Sequence, residues 1–178
     1  MDISTFVELS QGEWRSMRSG HSLAFQYFEE VLSEVKIQCL DKTDEAVTKL
    51  ANSVERVEGE LTAPFSMEWE AESDWEPDDQ SAVSAGHCIL IPYQIDYSHG
   101  KIIRSVGYAE AEQAITDYMF SSDETLVLRT IYGQSIAEER IWFASNNVRC
   151  RSSVLKTSEG SGILQTSFAS EVRKLSQA

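Results

Sequence analysis

Ten runs of residues that favour β-strands recur along the chain, and many of the segments between them are too short for parallel crossovers. The turns at 97–100, 121–124 and 133–134 each span four residues or fewer, whereas a parallel connection needs a dozen or more. Successive strands should therefore pair as an antiparallel meander. An up-and-down barrel is the most economical closure, because a closed sheet has no edges and can enclose one small ligand. The predicted strands are 14–25, 34–40, 61–70, 83–95, 101–108, 114–120, 125–132, 136–144, 148–155 and 163–170.

Only two segments have helical spacing. The first spans 2–10, and the second begins after Thr43, which is expected to cap it, and runs to Val54. The stretch 73–84 is predicted to be a long loop and not a domain boundary. The length of 178 residues suits one full core, so we expect residues 1–178 to form a single domain.

The charge of the chain argues against two classes of principal partner. A formal net charge of -14 would repel nucleic acid and anionic membrane surfaces at long range. An anionic ligand must therefore be held by local arginines. No apolar run approaches the roughly 20 residues of a membrane helix, and the first residues lack a secretory signal pattern, so we expect a soluble intracellular protein. Cys39, Cys88 and Cys150 lack the spacing of a disulfide framework or a zinc site.

Two arginines lie two residues apart on a predicted strand. With a strand period of two, Arg149 and Arg151 point to the same face. Two guanidinium forks on one face suit a pair of ligand carboxylates better than a core, where each charge would need its own partner. A solvated outer face is the alternative interpretation.

Glu139 has the same parity as Ile141 and Phe143 on the preceding strand. If that face is interior, burial raises the pKa of Glu139 unless an arginine compensates. A three-residue loop at 145–147 would place Glu139 on the same face as Arg149, whereas a two-residue turn at 146–147 would oppose them. We expect the former.

Aromatic and sulfur-containing side chains alternate with acidic ones in the strand that contains Met67 and Trp69. These two residues either fill the core or line a cavity. Trp75 lies beyond the strand in an acidic loop, where a large aromatic residue is either a lid or an exposed liability.

Near the N-terminus, Trp14, Ser16 and Arg18 share a face if their strand is unbroken. His21 falls on the opposite face unless a bulge intervenes near Gly20.

Four segments, in this order, resemble those of the S-type phycobiliprotein lyases: GEWRSMRSGHSL at 12–23, MEW at 67–69 followed by Trp75, GYAE at 107–110, and 139–151 with Glu139, Arg149 and Arg151. The resemblance spans nearly the whole chain. It implies an all-β, lipocalin-like antiparallel barrel, similar to fatty-acid-binding proteins, with short covering helices.

The family's activity is the attachment of phycocyanobilin or phycoerythrobilin, which are open-chain tetrapyrroles, by a thioether to a cysteine of a phycobiliprotein α or β subunit. The resemblance therefore implies a bilin substrate without a prosthetic group or metal, and a location in cyanobacterial cytoplasm or plastid stroma. It is also compatible with a homodimer or a heterodimer with a related lyase. The alternatives are a non-catalytic lipocalin-like carrier and an accessory subunit of a heterodimeric lyase.

The resemblance also implies roles for individual residues. Glu139 would hydrogen-bond the pyrrole nitrogens as the catalytic residue. The chain departs from the family's frequent His-His-Leu, because it has Ser22 after His21. The bilin-binding residues implied are Arg18, His21, Met67, Trp69, Trp75, Arg149 and Arg151.

Overall fold

The computed structural model describes residues 1–23, 25–72, 85–106, 113–159 and 162–175. Within these residues the chain forms eleven strands and two short helices. The elements are α1 Ile3–Ser10, β1 Gly12–Ser22, β2 Tyr27–Cys39, α2 Glu45–Asn52, β3 Glu60–Leu61, β4 Phe65–Glu72, β5 Ala85–Gln94, β6 His99–Arg104, β7 Ala114–Phe120, β8 Leu126–Tyr132, β9 Ser135–Ser145, β10 Val148–Thr157 and β11 Ile163–Arg173.

All the described strands belong to one antiparallel sheet that closes on itself. Its order is β3-β5-β4-β2-β1-β11-β10-β9-β8-β7-β6, and a further pairing of β5 with β6 joins its two sides. The two-residue strand β3 pairs only with the end of β5, so ten strands make up the barrel. The predicted all-β, up-and-down barrel with short helices is confirmed.

Two strands differ most from the prediction, and β1 and β6 also end earlier than predicted, at Ser22 and Arg104. β2 begins at Tyr27, well before the predicted start at 34, because its early part pairs with β1 despite the two acidic residues that weaken its strand propensity. The predicted strand 61–70 is broken into β3 and β4. Pro64 has no N–H to donate, and Ala63 has a positive φ of 41°, which takes the chain out of the ladder.

The first predicted helix is confirmed, and the capping residue of the second was wrong. Asp2 caps α1 by accepting a hydrogen bond from the Thr5 N–H at 2.9 Å. Thr43 does not cap α2, because both its N–H and its hydroxyl donate to the carboxylate of Asp41. The helix therefore begins later, and Asp44 caps it by accepting from the Ala46 N–H at 2.8 Å.

The two helices lie on opposite sides of the barrel wall. Ile3, Phe6 and Val7 of α1 pack inside the barrel against inward-facing residues of β5 to β9, at the end where β1 begins. Val47 of α2 packs outside, against Ile91 and its neighbours. The interior is therefore filled at one end by an apolar cluster and a helix, and the polar site lies farther along the strands. In the described part of the chain, no helix has both the length and the apolar character needed to cross a membrane.

Candidate functional site

Beyond the apolar cluster, the interior wall carries two adjacent rows of charged and small side chains. In the first row, Arg18 on β1 and Arg151 on β10 flank Ala169 on β11. In the second row, which is nearer to α1, Ser16 and Arg149 flank Glu171. Strands lie about 4.8 Å apart, so the backbones of Arg18 and Arg151 are separated by roughly 10 Å.

Glu139 lies between two arginines from different strands. Its Oε1 accepts from Nη2 of Arg104 on β6 at 3.1 Å, and its Oε2 lies 3.2 Å from Nη2 of Arg151 on β10. Burial by itself raises the pKa of Glu139, but the charges of Arg104 and Arg151 outweigh that cost and hold the pKa below its ordinary value. The sequence analysis required an arginine to offset the effect of burial on the pKa of Glu139, and the structure provides two. Glu139 is a carboxylate that can accept an N–H.

Arg149 forms a second buried ion pair, with Glu171. Its Nε donates to Oε2 of Glu171 at 2.5 Å, and the Ser16 hydroxyl donates to the other carboxylate oxygen at 3.4 Å. The guanidinium also lies 4.9 Å from the ring centroid of Trp14, which is fully buried. A cation over an indole face is favourable, so Arg149 is fixed by Glu171 and Trp14, and Ser16 in turn holds Glu171.

Arg18 lies nearer to solvent. The strand is unbroken, because β1 pairs with β2 without a shift from Gly12 to Ser22. Trp14, Ser16 and Arg18 therefore share the inner face, as predicted. The guanidinium of Arg18 donates to Oε1 of Glu29 at 2.8 Å, and about a third of each side chain is exposed.

His21 is not brought together with these residues. No bulge intervenes at Gly20 in either ladder of β1, so His21 lies on the outer face. It is exposed, and its ring centroid lies 4.8 Å from that of Phe28. Its contact with a bilin stays a prediction that would require rearrangement of this segment.

Met67 and Trp69 lie on the inner face of β4. Both are partly buried and pack against the interior apolar clusters. The ring of Trp69 lies over Gly86 of the neighbouring strand, where an added Cβ would come within 2.1 Å of it. Trp75 and the GYAE segment at 107–110 lie outside the described residues.

The β9–β10 hairpin places Glu139 and Arg149 on the same face, as predicted, but through a bulge and not through a three-residue loop. The turn at 146–147 has two residues, and a register shift between Val148 and Arg149 leaves Ala144 as an extra residue on β9. Arg149 is therefore opposite Phe143, and Ser153 is opposite Glu139. The predicted three-residue loop was wrong, but the shared face of Glu139, Arg149 and Arg151 is confirmed.

The sequence did not single out Arg104 or Glu171, although both are buried. Their parity was a usable signal, because Arg104 lies two residues after Ile102 and Glu171 lies two after Ala169. Each pairs with a residue that is far away in sequence. The signal therefore becomes meaningful only when the strand register is known.

The two buried ion-pair groups together contain three guanidinium groups and two carboxylates. The interior thus has a surplus of one positive charge in a chain whose net charge is -14. Arg18 and Arg151 are the partly exposed cations of the first row, with side-chain exposures of 31% and 22%. Such a wall can hold carboxylates at those two positions, accept N–H groups at Glu139 and pack flat apolar rings against Trp69.

The chain is similar to known proteins over its whole length. The family described as CpeS-like protein matches residues 2–174. A protein named chromophore lyase CpcS/CpeS 3 from Trichodesmium erythraeum is 47% identical over 97% of this chain and 99% of its own length. Chromophore lyase CpcS/CpeS 2 from Synechococcus sp. is 34% identical over 99% and 92%. The solved structure of the S-type phycobiliprotein lyase CPES from Guillardia theta matches with a TM-score of 0.83 at 34% identity, covering 99% of this chain and 95% of that one.

Proposed function

The chain belongs to the CpeS-like protein family and is a chromophore lyase, and we propose that it attaches a free phycobilin, by a thioether, to a cysteine of a phycobiliprotein subunit. The bilin is phycocyanobilin or phycoerythrobilin, and the acceptor is an α or β subunit of the phycobilisome. The proposed location is the cytoplasm of a cyanobacterium or the plastid stroma.

The observation that supports this function best is the row formed by Arg18, Ala169 and Arg151. It offers two partly exposed guanidinium groups, with a small residue between them. A bilin has two propionate side chains on neighbouring rings, and guanidinium forks bind carboxylates with directional hydrogen bonds. Arg149 lies directly below Arg151, and we retain it as a proposed propionate contact.

Glu139 and the aromatic wall suit the rest of the bilin. The carboxylate of Glu139 is ionised and points into the interior, so it can accept hydrogen bonds from pyrrole N–H groups and stabilise a positive charge on the ring system. Met67 and Trp69 supply an apolar surface for the flat rings. Trp75 is proposed to cover them.

In the proposed reaction, the acceptor cysteine adds across the ethylidene double bond of the bilin's first ring. The thiolate sulfur bonds to the exocyclic carbon as the π bond breaks, and the ring carbon at the other end takes up from solvent a proton equivalent to the one that the thiol released. Nothing leaves and no electrons are transferred to a third reactant. The contribution of this chain is to hold one face and one orientation of the bilin toward the thiolate. Because Glu139 is a carboxylate in the unliganded protein, it stabilises the bilin as a hydrogen-bond acceptor and not as a proton donor.

The function is tested by reconstitution with purified phycocyanobilin or phycoerythrobilin and several acceptor subunits. A lyase speeds formation of the adduct and directs it to one cysteine with one stereochemistry, as measured by absorption spectroscopy and peptide mass spectrometry. A carrier would bind the bilin but leave the site and stereochemistry of the adduct as they are without protein. That outcome with every acceptor, with and without a related lyase present, would contradict the proposal.

A further inference from the structure

Arg18 already has a carboxylate partner in the structure. Glu29 lies on β2 at the position opposite Gly20, two residues along from the position opposite Arg18. Its parity is that of Val35 and Ile37, which face the interior. The carboxylate therefore approaches Arg18 from inside the barrel wall, on the side from which a bilin would have to reach it.

Gly20 makes room for this arrangement. A Cβ at Gly20 would lie 3.2 Å from Oε1 and 3.3 Å from Cγ of Glu29. These distances are tighter than ordinary van der Waals contact. The side chain of Glu29 thus lies along the surface that the glycine leaves bare, and this position brings Oε1 within 2.8 Å of Nη2 of Arg18.

The Arg18–Glu29 pair differs from the two deeper ion pairs in its exposure. Glu139 and Glu171 have side-chain exposures of 1% and 3%, whereas that of Glu29 is 32%. A buried carboxylate that loses its partner is strongly destabilised, but one at a partly exposed position can return to water. Of these three carboxylates, Glu29 is the one that a ligand can displace from its arginine at little cost.

We propose that Glu29 is an internal competitor of the bilin, occupying Arg18 in the empty protein and being displaced by a propionate on binding. This inference rests on the proposed function, because it takes Arg18 to be a propionate contact. It adds that the affinity of the site is set partly by a carboxylate of the protein itself. A ligand without carboxylates leaves the Arg18–Glu29 pair intact and gains nothing from Arg18.

The test measures the dissociation constant of phycocyanobilin, and of its dimethyl ester, for the full chain by absorption titration. Replacing Glu29→Gln removes the competing charge, so phycocyanobilin should bind roughly fivefold tighter, the upper end of what a partly exposed ion pair contributes. The dimethyl ester should bind the variant and the wild-type protein equally. In an Arg18→Gln background, adding Glu29→Gln should have no effect.

Glu30→Gln is the matched control. Glu30 is the next residue on β2, is exposed and has the opposite parity, so its replacement makes the same change in net charge without touching Arg18. It should leave both dissociation constants unchanged within twofold. Gly20→Ala is a second test variant that keeps every charge, because the new Cβ displaces Glu29. It should give a smaller gain for phycocyanobilin only.

The outcomes separate this inference from the proposed function. If wild-type protein binds phycocyanobilin but Glu29→Gln binds it no tighter, the competition is refuted while the bilin site stands. An equal gain for Glu30→Gln, or for the dimethyl ester, would likewise refute it, by indicating a long-range charge effect or a change in shape. If the wild-type protein binds no bilin, the proposed function fails and this inference fails with it.

Discussion

At the scale of single residues, the neighbours of Glu139 decide its chemistry. An isolated carboxyl group with 1% of its side chain exposed would be kept neutral by burial. Arg104 and Arg151, each near a different oxygen of its carboxylate, reverse that preference. The result is a fixed negative charge inside a mostly apolar barrel, which suits a conjugated ligand that becomes cationic.

Replacing Glu139→Gln should leave bilin binding measurable but shift the visible absorption of the bound bilin and slow its transfer to the acceptor. A charge-assisted hydrogen bond is worth about 1.5–3 kcal/mol, which corresponds to roughly a tenfold to hundredfold loss of rate. The measurements are the absorption spectrum and the single-turnover transfer rate. Glu138→Gln is the control, because Glu138 has the opposite parity and pairs with Lys156 at 2.8 Å. Unchanged transfer by Glu139→Gln would remove the proposed role.

The same carboxylate predicts how stability depends on pH. The pKa of Glu139 is lowered in the folded protein from its ordinary value of 4.5. Its stabilising contribution is therefore fully present above that value and is lost as pH falls through the lower, folded-state pKa. Urea unfolding should show a large gap between wild type and Glu139→Gln at pH 7 and a smaller gap at pH 3.5. A gap that widens in acid would show that the ion pairs do not stabilise the folded state.

Parity along a strand predicted that Arg149 and Arg151 share one face, because it depends only on local geometry. Placing Glu139 on that face required an assumption about the hairpin, and the structure reaches the same face through a bulge instead. Parity could not identify Glu171 as the partner of Arg149 or Arg104 as a partner of Glu139. Those pairs depend on the register and curvature of strands that are remote in sequence. The exposure of His21 followed from parity as well, but the resemblance to a family placed it in the site.

At the scale of elements, one extra residue in the hairpin between β9 and β10 determines which β10 side chains face the interior. A regular two-residue turn would place Arg149 opposite Ala144, and a bulge at Ala144 moves it opposite Phe143. The sequence Asn146-Asn147 favours a tight turn, but the bulge that follows has no local signature. Its cause is the interior, where both Arg149 and Phe143 have partners.

The packing of Trp69 on β4 against Gly86 on β5 predicts that Gly86→Ala will weaken bilin binding. A Cβ at Gly86 would overlap the ring of Trp69, and overpacking of this kind costs about 1–3 kcal/mol. The ring must move into the interior, so bilin affinity should fall and the tryptophan emission of the empty protein should change. Isothermal titration with phycocyanobilin and fluorescence measure the two effects.

Gly162→Ala is the control for that variant. A Cβ at Gly162 would have its nearest neighbour, in the side chain of Thr157, at 3.9 Å, so the substitution should be accommodated without a change in either measurement. Equal behaviour of the two alanine variants would indicate that Trp69 does not line the binding site.

At the scale of the whole molecule, the sign of the charge differs between the exterior and the buried wall. The net charge of -14 repels a bilin dianion at a distance, whereas the interior arginines attract it at contact. The Debye length falls from about 30 Å at 0.01 M salt to about 8 Å at 0.15 M. The association rate of phycocyanobilin should therefore rise with ionic strength over this range, by roughly a few fold, as measured by stopped-flow absorption.

The dimethyl ester of phycocyanobilin is the control for the ionic-strength experiment. It carries no carboxylate charge, so its association rate should not depend on salt. A rate for phycocyanobilin that falls as salt is added would show that the arginines near the site, and not the net charge, dominate the approach.

The whole architecture was predictable because short turns exclude parallel crossovers, and closure is the simplest way to satisfy the edges of a long meander. The break between β3 and β4 was missed, although Pro64 gave a local warning. The placement of α1 inside the barrel was also beyond the sequence, since an amphipathic helix can cover either face of a sheet.

The pairing of β1 with β11 has a consequence for how the protein is made. Arg18 emerges early from the ribosome, but its neighbours Ala169, Arg151 and Glu171 follow much later. Until β11 is made, β1 and β10 are unpaired edges of the sheet. Contacts between residues so distant in sequence also form slowly. The row of Arg18, Ala169 and Arg151 is therefore one of the last parts of the molecule to form, and chaperones that shield unpaired strands during translation should affect its yield more than that of the hairpins.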